Sequence, residues 1–275
     1  MSDRNGLTLV LGGTGKTGRR VVERLRARGR PVRVGSTAGD PPFDWEDRAT
    51  WASALAGAGA VYVSYFPDLA APGAPEAVGA FAELAVGRDA GRLVLLSGRG
   101  EEEAQRAEQA LQAAGADWTI VRSSWFNQNF SESFFLEPVL AGEVALPADG
   151  VPEPFIDVED IADVAVAALT EERHGGQVYE VTGPRLLTFA DTVAEIATAT
   201  GHRIRFAPIS IERFAASLAD AHVPPDIVAL LTYLFTEVLD GRNAYLADGV
   251  RRALGRAPRD FRDFAKGTAA TGVWD

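Results

Sequence analysis

Apolar residues in the first two-thirds of the chain fall in short unbroken runs at 7–11, 32–34, 60–63, 93–96, 118–121 and 178–181. Runs of this length without polar alternation predict strands buried on both faces. Helical spacing separates most of them, as at 101–114 and 158–169. In the latter, Ile161, Val164, Ala165, Ala168 and Leu169 make one stripe, while Asp157, Glu159 and Asp160 crowd the first turn. Those acids read as caps and dipole partners rather than as paired catalytic carboxylates. Strands alternating with helices predict an α/β fold: a doubly wound parallel sheet with right-handed crossovers and helices on both faces.

Beyond residue 181 the pattern turns helical, at 188–200, 211–221 and 226–239, with one short strand at 203–207. The 226–239 segment follows Pro224-Pro225 and is apolar almost all round, which predicts that it is fully buried or covers a cleft.

The richest local pattern is GGTGKTG, Gly12–Gly18, placed directly after the first strand and opening into a helix. Gly12, Gly15 and Gly18 suit a tight turn, close backbone approach to a pyrophosphate, and close helix–sheet packing. Gly18, Val21, Val22 and Leu25 recur at i, i+3, i+4 and i+7, which puts Gly18 on the sheet-facing stripe. Gly15-Lys16-Thr17 imitates the end of a nucleoside triphosphate P-loop, but Val10 stands where that motif needs its first glycine.

Composition narrows the classes further. The net charge of −11 argues against a nucleic-acid surface, and no apolar stretch has the length of a bilayer span. There is no cysteine, which excludes disulfides and thiolate chemistry. His174, His202 and His222 lack ligand spacing and read as surface histidines, so no metal site is expected. The run at 7–11 breaks into glycines too early for the core of a signal peptide, and the expected location is the cytoplasm. Only two of the 27 basic residues are lysines, Lys16 and Lys266.

Several ordered segments resemble one family. LVLGGTGKTG (Leu9–Gly18), RLVLLSGRG (Arg92–Gly100), the helix containing Glu108, WTIVRSSWFNQNF (Trp118–Phe130), FIDVEDIADVAVAALT (Phe155–Thr170) and YEVTGP (Tyr179–Pro184) are similar to NmrA-like atypical short-chain dehydrogenases/reductases. The likeness is to NAD(P)H-dependent quinone oxidoreductases and triphenylmethane reductases in particular. It implies a Rossmann core over residues 1–182 and a small, mainly helical substrate domain over 183–275, with 125–154 contributing to the substrate side.

The resemblance further implies that Gly12, Thr14, Gly15, Lys16, Thr17 and Gly18 hold the pyrophosphate and nearby ribose of a nicotinamide dinucleotide. Asp44 matches an acidic position that meets the adenine amino group, with a turn carboxylate after Pro41-Pro42 as the alternative. Tyr65, Phe66 and Pro67 would line the nicotinamide ribose. Ser97 stands where the superfamily keeps its active-site serine, and a plain strand-end serine is its alternative.

The chain departs from the superfamily in lacking Tyr-x-x-x-Lys: position 12 is glycine and position 262 arginine, four residues before each lysine. That pair ordinarily donates a proton to the carbonyl being reduced. The second strand ends in Gly35-Ser36-Thr37 with no acid to meet a ribose diol, and Lys16 and Arg19 stand near enough to meet a 2′-phosphate. NADP(H) is therefore favoured over NAD(H), with Arg19 as a solvated helix charge the alternative. On the substrate side Trp125, Asn127 and Asn129 are pocket candidates, because polar groups among aromatics orient a ligand, and Tyr233 is a candidate for the opposite wall. Phe126, Phe130 and Phe134 recur at helical spacing and read as core. The expected function is hydride transfer from NAD(P)H to a conjugated small molecule such as a quinone, enone or iminium. A non-catalytic redox sensor and a dinucleotide-using isomerase stand as alternatives, and homo-oligomerisation is left open.

Overall fold

A computed structural model describes residues 6–275. Its strands are β1 (Leu7–Leu11), β2 (Val32–Gly35), β3 (Ala58–Val63), β4 (Arg92–Gly98), β5 (Asp117–Ser123), β6 (Glu143–Leu146), β7 (Gln177–Val181) and β8 (Arg205–Pro208). The chain divides into two compact units. The first takes residues up to Ser123 together with Val158–Val181 and Asp248–Arg256. The second takes Ser124–Asp157, Thr182–Ala247 and Ala257–Asp275. The stretch expected to serve the substrate side thus lies within the second unit, and a short late segment returns to the first.

The first unit is built on an all-parallel six-stranded sheet in the order β2-β1-β3-β4-β5-β7. All six apolar runs are strands of it. Leu9, Val10 and Leu11 of β1 are wholly buried, as a strand covered on both faces requires. The order reverses beside β1, since the chain goes first to β2 on one side and then to β3 on the other. That switch point is where open α/β sheets bind ligands, beyond the carboxyl ends of the strands. Helix Lys16–Ala27 buries Gly18, Val21, Val22 and Leu25, the stripe its spacing predicts.

Glu159 and Asp160 stand in the first turn of helix Val158–Thr170, and their side chains also meet arginines. Glu159 accepts from Arg20 at 2.5 Å and also from Arg24, and Asp160 meets Arg256 at 2.7 Å. His174 is no surface histidine: it is fully buried, with Nδ1 2.8 Å from the Tyr179 hydroxyl and its carbonyl accepting from Thr119 at 2.7 Å. The short turn Glu172–His174 leads directly into β7, which carries the ring inward.

The second unit has an aromatic core. Phe130, Phe135, Phe155, Phe189 and Phe261 are buried together, and the Trp274 indole donates to the Phe130 carbonyl at 2.8 Å. Phe130 is core as its spacing suggests, but Phe134 is 44% exposed and its neighbour Phe135 turns inward instead. β6 pairs in parallel with β8. Helix Phe189–Thr200 starts with a reciprocal capping box between Thr188 and Asp191. The apolar 226–239 segment is helix Pro225–Tyr233 followed by a wide turn, Leu234–Val238. Only Leu231 is buried in that helix, so the segment is not the fully buried element its composition suggests.

Candidate active site

The glycine loop follows β1 at the switch point of the first unit. Gly12 has φ +62°, a conformation L side chains rarely adopt. Gly18 is the tightest position, since a Cβ there would lie 2.2 Å from the Gly12 carbonyl oxygen. The loop and helix therefore touch backbone to backbone, while Gly12, Thr14 and Gly15 stay exposed. Helix Lys16–Ala27 starts at Gly15 with no side-chain cap and no acid in its first turn. A helix leaves its first N–H groups without intrahelical acceptors, and the dipole favours an anion there. A pyrophosphate suits this cradle on both counts.

Around the loop the individual side chains take definite positions. Thr17 is buried, and its hydroxyl accepts from Tyr62 at 3.0 Å, so only its backbone faces the loop's task. Burial pushes the Tyr62 hydroxyl well above its ordinary range, which keeps that proton in place. Lys16 and Arg19 are half-buried on the first helical turns. After β2, Ser36 is half-buried, Thr37 is exposed, and the Ser36 carbonyl accepts from Gly39 and Phe43. Asp44 serves a turn, its Oδ1 accepting from the Glu46 amide at 3.0 Å.

Beyond β3, Tyr65 packs on Trp45 with ring centroids 4.9 Å apart, and Phe66 is 78% exposed. Burial, reinforced by the charges of Glu46 and Glu76, raises the Tyr65 hydroxyl, the opposite of what a tyrosine acid needs. Trp45 was not singled out in the sequence. The aromatics Phe43, Trp45 and Trp51 around Asp44 were the available signal.

At the end of β4, Ser97 is buried and donates to Glu108 at 2.6 Å. Glu108 accepts from Arg122 Nε at 2.9 Å and Nη2 at 2.5 Å, and Arg122 Nη1 donates to Glu180 at 2.8 Å. The Ser97 hydroxyl is thereby committed within an ion-pair network that joins β4, β5 and β7. Beyond β3 and β4, Asp68 is half-buried and Glu101 is buried, and burial raises both carboxyls above their usual range. Among the described residues no group of histidines, cysteines and acids could hold a metal ion. No helix among them is long and apolar enough to cross a membrane.

The acceptor-side candidates belong to the second unit. Trp125 is half-buried, with its ring 5.4 Å from Phe189 and 5.2 Å from Phe235. Asn127 is fully buried, and neither polar atom of its amide finds a partner. Such an orphaned group costs about 1–3 kcal/mol. Its backbone is fixed by the amide's bond to Ile156, 2.9 Å. Asn129 is 8% exposed, and Tyr233 is half-buried at the end of its helix.

No family model matches the chain. It is 33% identical to agroclavine dehydrogenase of Claviceps fusiformis over 281 residues, covering 93% of this chain and 95% of that relative. Among solved structures, an NADPH-dependent quinone oxidoreductase of Escherichia coli complexed with NADPH superposes with a TM-score of 0.73 at 20% identity. It covers 94% of this chain and 99% of its own. NmrA, a negative transcriptional regulator in complex with NAD, gives 0.71 at 15% identity, with 98% of both chains covered. The chain belongs to the NmrA-like family of atypical short-chain dehydrogenases/reductases. The family's oxidoreductases use nicotinamide dinucleotides, and this chain is one of them.

Proposed function

We propose that this NmrA-like chain reduces a conjugated small molecule, a quinone, enone or iminium, with NADPH preferred over NADH. The observation that carries the reading is the Gly12–Gly18 cradle: closed on its sheet side by Gly18, open on the other, and uncapped at the helix start. Its backbone holds the pyrophosphate, with Lys16 and Arg19 meeting a 2′-phosphate beside Ser36 and Thr37. When bound, the reduced nicotinamide supplies a hydride. Tyr65, Phe66 and Pro67 flank the nicotinamide ribose, and Trp125 and Tyr233 hold the acceptor.

The choice of acceptor rests on what this chain lacks. Helix Glu102–Ala113, where a Tyr-x-x-x-Lys pair would stand, contains neither residue type. Ser97 has its proton engaged, and Tyr65 is made less acidic. A conjugated acceptor delocalises the incoming charge and so demands less from a tyrosine acid than a simple ketone does. NADPH oxidation measured against quinones, enones, iminium ions and unconjugated ketones tests this reading. Turnover confined to the conjugated members supports it. Equal turnover of simple ketones contradicts the acceptor class, and cofactor binding without any turnover would favour a redox sensor.

A further inference from the structure

The amino ends of the sheet strands, opposite the glycine loop, surround a cavity of about 520 Å³. It lies wholly within the first unit, on β1, β3, β4 and β5 and on the end of helix Val158–Thr170. That volume is in the range of small-molecule sites. The register of β1 on β3 skips Gly59, since Leu7 pairs with Ala58 and Thr8 with Ala60. A Cβ on Gly59 or on Gly91 would meet nothing within 4 Å, so both leave open space at the strand ends. Irregular register and unfilled glycines are found in strands where another group approaches the backbone closely.

Some of the charges that line the cavity are already engaged. Arg92 donates to Asp117 at 3.0 Å, and Glu171 accepts from Arg173 at 2.8 Å. Others are not. Arg30 is half-buried and Asp89 exposed, and neither side chain has a partner among the described residues. Thr8 is only 5% exposed, and its hydroxyl, on the cavity wall, likewise has no partner among them. A buried hydroxyl without a partner is costly, and a ligand group beside it relieves that cost. A purely anionic ligand would answer Arg30 and face Asp89, and a purely cationic one the reverse. A zwitterion answers both. Thr8 stands at the amino end of β1 and Asp89 just before β4, and those strands are two spacings apart, about 10 Å. Three extended residues span about that distance.

We propose that this cavity binds a short peptide with free termini, about three residues long, its carboxylate on Arg30 and the Thr8 hydroxyl and its ammonium on Asp89. Arginine suits the carboxylate end, because its fork of donors makes paired, charge-assisted hydrogen bonds. Leu169 and Thr170, at the carboxyl end of helix Val158–Thr170, line the cavity too, and a helix carboxyl end favours positive charge. The site lies at the opposite end of the strands from the cofactor cradle and does not depend on the reductase reading.

Calorimetric titration with trialanine tests the proposal, and urea unfolding checks that each variant is folded. The wild type should bind trialanine, and should bind alanine far more weakly. Arg30→Gln and Asp89→Asn should each weaken trialanine binding by about tenfold or more, the loss expected when a charged group loses its hydrogen-bond partner. Asparagine tolerates the left-handed backbone of residue 89, φ +63°, so that variant isolates the charge. Capping separates the two ends of the ligand. Amidated trialanine should lose nothing further in Arg30→Gln, and N-acetylated trialanine nothing further in Asp89→Asn. Gly59→Val places its side chain in the open space and should remove binding from a folded protein. A wild type that binds no trialanine, that binds alanine as tightly, or whose affinity survives in both charge variants overturns the proposal.

Discussion

Gly18→Ala probes the contact on which the cradle depends. In a helix interior, replacing glycine with alanine normally stabilises by about 1 kcal/mol. At Gly18 the new Cβ would stand 2.2 Å from the Gly12 oxygen, 2.7 Å from its carbonyl carbon and 2.9 Å from Gly13 Cα. All three are backbone atoms, so none can swing aside as a side chain does. Clearing even a 3.0 Å contact requires the helix start and the loop to separate by about 0.8 Å. Overpacking of this kind costs about 1–3 kcal/mol, which outweighs the propensity gain or at best cancels it. Gly267, in helix Phe261–Ala269, has nothing within 4 Å of an added Cβ and serves as the control. Urea unfolding should place Gly267→Ala above wild type and Gly18→Ala below it. NADPH titration followed by fluorescence should show Gly18→Ala weakened by more than about tenfold, or 1.4 kcal/mol, and Gly267→Ala unchanged. A Gly18→Ala protein as stable and as tight-binding as the Gly267→Ala control would refute the close approach as the basis of the cradle.

Three further outcomes follow from the same structure. Lys16→Ala combined with Arg19→Ala should narrow the ratio of NADH to NADPH dissociation constants, since charge-assisted phosphate contacts are stronger than neutral ones; equal constants in the wild type would remove the premise. Tyr65→Phe and Tyr233→Phe should each slow single-turnover hydride transfer by less than about tenfold, well short of a lost general acid, and abolition by either would reveal a relocated tyrosine acid. Hydrogen bonds from Arg185 hold Asp260 below the usual carboxylate range, so the stability it contributes is complete above the unfolded carboxyl's ordinary pKa and is lost as pH falls through the lowered folded value. Acid titration of unfolding should therefore show a shallower acid limb in Arg185→Met, and an identical limb would show that the pair is unimportant.

The six sheet strands were legible because each is a continuous apolar run buried on two faces, and the glycine loop because its backbone task leaves no choice of residue. β6 was not: Glu143–Leu146 alternates over only four residues, and its partner Arg205–Pro208 lies far along the chain. Periodicity registers local spacing, not a pairing made at that distance. Glu101 is buried close against the bare Cα of Gly98, an approach that only the folded chain shows. His174 and the arginine partners of Glu159 were hidden for the same reason. Ser97 sits where the family resemblance placed it, yet its hydroxyl serves Glu108, because the facing helix and β5 supply a carboxylate and an arginine that the strand alone does not reveal. Asp226–Leu239, expected to be fully buried or to cover a cleft, is not fully buried: apolar composition on all sides did not mean burial on all sides.

Transfer of the label from NADPH deuterated at the nicotinamide C4 tests the central claim most directly. Wild-type protein mixed with an enone or iminium, whose new C–D bond does not exchange with water, should yield product carrying one deuterium by mass spectrometry, and Gly15→Val, which crowds the open side of the cradle, should yield none. Deuterium that never reaches any conjugated acceptor, from a protein that demonstrably binds NADPH, would contradict it.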